Sequence, residues 1–355
     1  MLERIVYDGA LPASFFSLVL PLYAQLPFAP DEDEALIRQL FDLEAPQHTI
    51  VIYTDHQNVR LAGIFPHNGE VAYFGFWETV FDQQLTAEVF DLAIADAARF
   101  GKNSIVGPLH FNTYHRYRLR LGPAPSWQQF DREPVNPEYY PQLLQRAGFK
   151  VKMGFQSRLL RAETVPRVYQ EKQPVLAKLP QVPFDFVPLN PESWKILAGE
   201  IYELIHQIFS QNPAYKPVSR TQFDLLYNAK YAAKLCPHTA VAFRDKGSGK
   251  LAAISLCHPN YHGLNLPAGE TPSFGRDYPR LPRKTLLSKT LGVHPAFRQQ
   301  GIMDLLAAYG MLQFQQYYEE IIFCLMRNDN YSLRFTDHLP VETAHYALFE
   351  KEIAE

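Results

Sequence analysis

Leu291-Gly-Val-His-Pro-Ala-Phe-Arg-Gln-Gln-Gly-Ile-Met303 is the stretch of this sequence that decides the fold. It contains the end of an apolar strand, a proline turn and an Arg-x-x-Gly that opens a helix. The first N–H groups of a helix have no partners within it, and the helix dipole favours negative charge there. Gly301 would let a phosphate approach the backbone, Arg298 would add a charge-assisted contact, and Gly292 would leave room for a slim ligand along the strand edge. The stretch therefore predicts an anion site.

The elements around this stretch alternate between strand and helix. Upstream, Asn190 and Pro191 are suited to begin a helix that runs to about Phe209, because Asn caps well and Pro is tolerated in the first turn. A second helix is predicted over about 220–234, and a hairpin follows it. Downstream, the pattern predicts a helix over about 301–317, a strand over 321–325, a short helix over about 330–338 and a last strand over about 342–349. Residues 183–355 are thus predicted to form an α/β domain with a mixed sheet.

The N-terminal half repeats the later part of this order. A strand is predicted over 71–77, a helix over 86–100, a strand over 104–106 and another strand over 149–160. Between the halves, residues 163–182 contain Pro166, Pro174 and Pro180, which should deny this segment a helix. The sequence therefore predicts two domains, 1–162 and 183–355, joined by a proline-rich linker over 163–182 and related by duplication.

Composition excludes several classes of protein. The 355 residues have a formal net charge of −3, which argues against nucleic acid as a partner, since phosphate binding needs a basic excess. No apolar run approaches the roughly 20 residues that span a bilayer, which argues against a membrane partner. The three cysteines are widely spaced and, with the neighbouring histidines, fit no common metal-ligand pattern, so no metal is expected. Unpaired cysteines favour a reducing compartment, and we expect a cytoplasmic protein.

The deciding stretch resembles the acyl-CoA motif of the GNAT superfamily of N-acetyltransferases, Val-x-Pro-x-x-Arg-x-x-Gly-x-Gly/Ala. Val293, Pro295, Arg298 and Gly301 match it, and Met303 stands where the family has Gly or Ala. The resemblance implies that loop amides hold the pyrophosphate of acetyl-CoA or another acyl-CoA, while the preceding strand pairs with the pantetheine arm. The cofactor-binding residues it implies are Leu291, Gly292, Val293, Arg298, Gln299, Gln300, Gly301, Ile302, Met303, Asn328 and Asn330.

Asn328 and Asn330 come from a second resemblance, since Arg327-Asn-Asp-Asn330 follows a strand as the later motif of that family does. Family members often have a Tyr about seven residues past that Asn, which acts as general acid towards the leaving thiolate. Asp337 occupies this position here, so Tyr331 and Tyr346 are the substitute candidates.

The N-terminal half lacks Arg-x-x-Gly and has Glu78 and Asp82 in its place, which would repel phosphate. It resembles a degenerate GNAT copy, and the whole chain resembles bacterial tandem GNAT-like proteins. Residues 107–128 hold an Arg116/Arg118/Arg120 stripe that would lie on one face of a strand. The stripe is either a solvated edge or a contact for an acidic substrate or carrier.

The resemblance implies an acyl-CoA-dependent N-acyltransferase that acts on a small or carrier-bound amine. Two alternatives stay open. One is a Fem-type aminoacyl transferase, which also pairs two such domains but takes its donor from tRNA. The other is a non-catalytic acyl-CoA-binding module. Neither the acyl length nor the oligomeric state follows from the sequence.

Overall fold

The computed structural model describes residues 1–30, 32–210, 212, 215–264, 266–267 and 269–353. The first of two units comprises Met1–Ala124, Arg132–Phe155 and Ala344–Glu355. Its elements are β1 (Glu3–Val6), α1 (Ser14–Ser17), α2 (Val19–Tyr23), α3 (Glu34–Glu44), β2 (His48–Thr54), β3 (Val59–Pro66), β4 (Val71–Thr79), α4 (Gln83–Arg99), β5 (Ser104–Gly107), β6 (Leu119–Leu121), α5 (Tyr140–Arg146), the first part of β7 (Lys150–Leu160) and most of β13 (Glu342–Glu352).

The sheet of this unit runs in the order β1-β2-β3-β4-β5-β13. β4 and β5 are parallel, whereas the other neighbours are antiparallel. Val, Ile and aromatic residues fill the strands, which suits a sheet with both faces covered. One core cluster packs Phe74, Phe90 and Phe149 beneath α4 and α5, and a second packs Phe15, Phe41 and Phe76 beneath α3. The predicted strand and helix over 71–77 and 86–100 are confirmed as β4 and α4.

The second unit comprises Pro125–Asp131 and Gln156–Thr343. Its elements are the remainder of β7, α6 (Val165–Leu176), β8 (Phe184–Pro188), α7 (Pro191–Phe209), α8 (Arg220–Leu226), α9 (Ala229–Lys234), β9 (Val241–Asp245), β10 (Leu251–Pro259), α10 (Phe274–Asp277), β11 (Thr285–Val293), α11 (Ile302–Met311), α12 (Phe314–Tyr317), β12 (Glu320–Arg327) and the start of β13.

In this unit the strand order is β12-β11-β10-β9-β8, and only β11 and β12 among these neighbours run parallel. α7 begins where the sequence predicts, because the Asn190 side chain accepts from the Ser193 amide and the Ser193 hydroxyl accepts from the Asn190 amide. The second predicted helix is instead two short helices, α8 and α9, since Asn228 caps the second of them. The helix predicted over 301–317 likewise breaks into α11 and α12, and the one predicted over 330–338 is a 3-10 turn, Tyr331–Phe335.

The proline-rich segment is the main correction to the predicted secondary structure. Residues 165–176 form α6, although Pro166 and Pro174 were expected to prevent a helix. Pro166 falls in the first turn, where its missing N–H costs nothing, and Pro174 falls within the last turn. The helix is held by packing, because Val165, Val168 and Tyr169 join a core cluster with Met311 and Phe314 of the same unit.

The two units also divide the chain differently from the predicted boundaries of 1–162 and 183–355. Residues 344–352 belong to the first unit because β13 pairs antiparallel with β5, with Phe349 opposite Gly107. Residues 125–131 belong to the second unit, where the carbonyl groups of Gln128 and Gln129 accept from the Asn260 amide. Within the described residues, no helix has the length and apolar character needed to cross a membrane.

Candidate acyl-CoA site

β11 and β12 separate before either strand ends. Their parallel register starts at Thr285 opposite Glu320 and stops at Ser288 opposite Phe323. β11 nevertheless continues to Val293 and β12 to Arg327. Among the described residues, 290–293 of β11 have no partner strand on the β12 side. A register shift in the pairing with β10 falls at the same point, leaving Lys289 as the bulge residue. The result is an open strand edge that leads to the loop at residue 294.

The loop after β11 presents a row of free amide groups. Gln299 and Gly301 both have left-handed backbones, with φ of 68° and 70°. Gly301 is the N-cap of α11 and supplies no side-chain cap. Within the described part of the chain, none of the amides of residues 299–303 has a hydrogen-bond partner, whereas those of Asp304 and Leu305 bond to the Gly301 carbonyl. Successive amides in this kind of turn form an anion-binding concavity, and the helix dipole adds to it.

Arg298 lies beside this loop and is exposed, but its side chain has a structural contact that the sequence did not reveal. Its Nη2 donates to the carbonyl of Ile208 at 3.1 Å, and its Nε lies 3.5 Å from the carbonyl of Val293. The guanidinium therefore fastens the end of α7 to the loop. Its contact with phosphate stays a prediction.

Gly292 also has a structural role that the sequence did not reveal. The residue is buried, and a Cβ there would lie 2.5 Å from Cγ2 of Ile208. Glycine is thus required so that α7 can pack closely on β11. Its predicted place beside a ligand stays a prediction.

Met303, the departure from the family motif, packs away from the loop. Its side chain is half-buried against the cluster formed by Val293, Ile302 and Leu306. Gln300, in contrast, is exposed on the loop. The larger side chain at position 303 is therefore accommodated by the core and leaves the amide row uncovered.

The residues of the later motif lie at the end of β12. Asn328 is exposed and accepts a hydrogen bond from Gln156 at 3.3 Å. Asn330 caps the 3-10 turn by accepting from the Ser332 amide, and Tyr331 is 54% exposed. Asp337, in the position of the usual acid, accepts from Arg158 at 2.7 Å. Asp337 is thus engaged in an ion pair with Arg158.

Tyr346, the other candidate acid, belongs to the first unit. Its side chain is fully buried, and its hydroxyl donates to Glu133 at 2.7 Å. That environment does not support the catalytic role predicted for it.

In the first unit, the loop between β4 and α4 is closed to an anion. Asp82 caps α4 by accepting from the Leu85 amide at 2.9 Å, which places a carboxylate where a phosphate would lie. Glu78 is buried, and it accepts from Tyr23 at 2.9 Å, Tyr140 at 2.8 Å and Arg116 at 3.1 Å. Burial raises the pKa of Glu78 although Arg116 opposes the shift. These contacts make the loop part of the core of its unit.

The edge of β4 beyond its pairing with β5 is covered as well. The Leu109 amide donates to the Phe74 carbonyl at 2.7 Å, and a Cβ on Gly75 would lie 2.5 Å from the Leu109 carbonyl oxygen. The chain after β5 thus continues to pair with β4, whereas β11 has no partner on the β12 side at residues 290–293 among the described residues. His110 stacks on Phe76 with ring centroids 3.9 Å apart.

The arginine stripe is not a solvated edge. Arg118 and Arg120 are 8% and 2% exposed, and the side chain of Arg116 is 15% exposed. Regular alternation also fails, because β6 covers only Leu119–Leu121 and Arg118 has a φ of 82°. Arg118 stacks over the rings of Tyr117 and Phe155.

Sequence reasoning missed Ile208 and Lys289 in this site. Ile208 lies about 90 residues before Arg298 and receives its guanidinium through a main-chain carbonyl, which no side-chain pattern encodes. Lys289 marks the bulge, whose position depends on the pairing of β10 with β11. In the described residues, no group of three or more His, Cys, Asp or Glu is placed to hold a metal ion.

No protein-family model matches the chain, and no curated protein matches it. Among solved structures, a tandem GNAT protein from the clavulanic acid biosynthesis pathway has 11% identity and a TM-score of 0.56, over 100% of this chain and 99% of that chain. A conserved protein of unknown function from Enterococcus faecalis V583, described as a probable N-acyltransferase, has 10% identity and a TM-score of 0.54, over 99% of this chain and 73% of its own. At such identities the likeness is one of fold, and this chain has the fold of tandem GNAT proteins.

Proposed function

We propose that the second unit is an acyl-CoA-dependent N-acyltransferase that uses acetyl-CoA or another acyl-CoA as donor. The observation that carries this proposal is the row of unpartnered amides at residues 299–303, which follows directly on the open edge of β11. The amides suit the pyrophosphate of CoA, and residues 291–293 suit an extended amide-bearing arm, which can pair with a strand edge.

The reaction would be transfer of the acyl group to an amine. The neutral amine attacks the thioester carbonyl, the C–N bond forms and the C–S bond breaks. The amine proton passes to water, and the sulfur leaves as thiolate. Amides of β11 near Val293 would stabilise the oxyanion. A thiol pKa near ~8.5 makes thiolate a tolerable leaving group, so Tyr331, the exposed candidate, need not protonate it fully.

As acceptor we propose a small or carrier-bound amine, with neither nucleic acid nor membrane as a partner. The net charge of −3 supports the exclusion of nucleic acid. We expect the loop over 259–283 to wall the acceptor entrance; it includes residues 265 and 268, which lie outside the described part of the chain. We also propose a cytoplasmic location, which the three buried free cysteines support.

A titration with acetyl-CoA tests the proposal. A donor present at about 100 times its Kd should stabilise the folded chain by about 2.7 kcal/mol, measured by thermal unfolding. Release of free thiol in the presence of an amine panel then reports turnover. Binding without turnover on any amine would favour the non-catalytic module. No binding of acetyl-CoA or CoA would remove the proposal and leave the aminoacyl transferase as the alternative.

A further inference from the structure

The first unit contains a buried arginine with one edge that makes no hydrogen bond to the described residues. Arg120 is 2% exposed, and its Nε and Nη2 have no hydrogen-bond partner among the described residues. These two nitrogens lie on the same edge of the guanidinium plane. They form the paired donors that bind a carboxylate or phosphate through two parallel hydrogen bonds.

Another buried arginine of the same unit shows what a purely structural role looks like. Arg60 is fully buried, and every side-chain nitrogen has an acceptor: Nε donates to the Phe76 carbonyl, Nη1 to the Phe15 carbonyl and Nη2 to Glu32. Buried donors without acceptors destabilise a fold, which is why nearly all are satisfied. In Arg120, by contrast, the two donors without an acceptor, Nε and Nη2, are those on the edge suited to an oxyanion.

The surrounding residues hold Arg120 in one position. Its amide donates to Asn136 Oδ1 at 2.7 Å, and Asn136 Nδ2 donates back to its carbonyl at 3.2 Å. The ring of Phe28 covers the guanidinium, with 4.2 Å between Cζ and the ring centroid. With this face covered, a ligand is left to approach the guanidinium by its edge. Phe28 itself is only half-buried and lies in the loop between α2 and α3.

The local charge favours one class of oxyanion. Tyr346 lies opposite Arg120 in the pairing of β6 with β13, so their side chains share a face of the sheet. Tyr346 donates to Glu133, which is 2% exposed and interacts electrostatically with Arg120. One carboxylate, Glu133, is already buried nearby. A ligand with one negative charge is tolerable beside it only if the paired Nε and Nη2 donors of Arg120 bind that charge, and a ligand with two negative charges is less tolerable. A planar monoanionic carboxylate fits better than a phosphate.

We propose that the first unit binds a carboxylate-bearing small molecule through the Nε–Nη2 edge of Arg120. This site is independent of the acyl-CoA site proposed for the second unit. It assigns a ligand-binding role to a unit whose own phosphate loop is closed by Asp82.

Calorimetric titration of the full chain tests this, with sodium acetate, sodium propionate and potassium phosphate as probes at matched ionic strength. We expect saturable binding of at least one carboxylate by the wild type. Arg120→Lys keeps the positive charge but loses the paired Nε and Nη2 donors, and should weaken carboxylate binding at least tenfold. Arg118→Lys is the matched control, a neighbouring buried arginine whose guanidinium stacks on rings, and should bind the carboxylate as the wild type does.

The wild-type titration tests the proposal even if the Arg120 variant folds poorly, because absence of saturable carboxylate binding would refute the proposed site. So would equal carboxylate binding by Arg120→Lys, or phosphate binding that the variant loses while carboxylates have no effect. CoA affinity measured on the same variants separates the two proposals, since Arg120→Lys should leave it unchanged.

Discussion

The amide row of the second unit makes a quantitative prediction at Gly301. Gly301 has a φ of 70° and would place a Cβ with nothing within 4 Å. Replacement by Leu therefore costs left-handed strain of about 1–2 kcal/mol but causes no collision within the chain. Since domains are typically stable by about 5–15 kcal/mol, the variant should stay folded. Its side chain would, however, stand among the amides that we expect to face the pyrophosphate.

Loss of one charge-assisted hydrogen bond to phosphate costs about 1.5–3 kcal/mol, which corresponds to about a ten- to hundredfold weaker Kd for CoA. Isothermal titration calorimetry with CoA measures this directly.

The chain offers a matched control in Gly249, in the turn between β9 and β10. It has the same φ of 70° and equally open space at its Cβ. Gly249→Leu should lose similar stability in a urea titration while binding CoA as the wild type does. Unchanged CoA affinity in Gly301→Leu, with both variants equally destabilised, would refute the placement of the pyrophosphate on this loop.

Further predictions concern both units. Because Asp82 occupies the helix N-terminus of the first unit, calorimetry should give one CoA per chain, and a stoichiometry of two would contradict that interpretation. Gly292→Ala should lower the free energy of unfolding by about 1–3 kcal/mol because its Cβ meets Ile208, and Ile208→Ala should restore part of the loss in a urea titration. In an acceptor screen by thiol release, we expect turnover on small or carrier-bound amines, and turnover on Lys-rich peptides alone would contradict this. Burial lowers the pKa of His115 and His258 to about 3, so both fold as neutral groups. Their unfolded forms take up protons below ~6.5, so stability that is complete above that pH should fall between pH ~6.5 and ~3, by about 2 kcal/mol per residue at pH 5. His258→Gln should reduce this loss in urea titrations at pH 5 and 7, and an unchanged loss would show that His258 is not its source.

The sequence by itself determined the parts of the fold that depend on local chemistry. Asn190 and Pro191 start α7 because a cap and a first-turn proline act within a few residues. The order of strand, loop, Gly301 and helix followed from residues 291–303 because these signals are also local. The sequence around Asp82 likewise predicted a loop that does not bind phosphate.

What only the tertiary structure decided depends on partners far away in sequence. α6 forms despite Pro174 because its apolar face packs against α11, and β13 joins the first unit because its hydrogen-bond partner is β5. Gly292 and Arg298 both contact Ile208, about 90 residues upstream, which Gly292 lets pack closely and whose carbonyl accepts from Arg298. Likewise, the alternation of Arg116, Arg118 and Arg120 predicted a stripe on one face. In the structure Arg116 forms an ion pair, Arg118 stacks on rings, and Nε and Nη2 of Arg120 have no hydrogen-bond partner among the described residues. Their contacts differ because the position of a long side chain in a core depends on the partners that the fold brings near it.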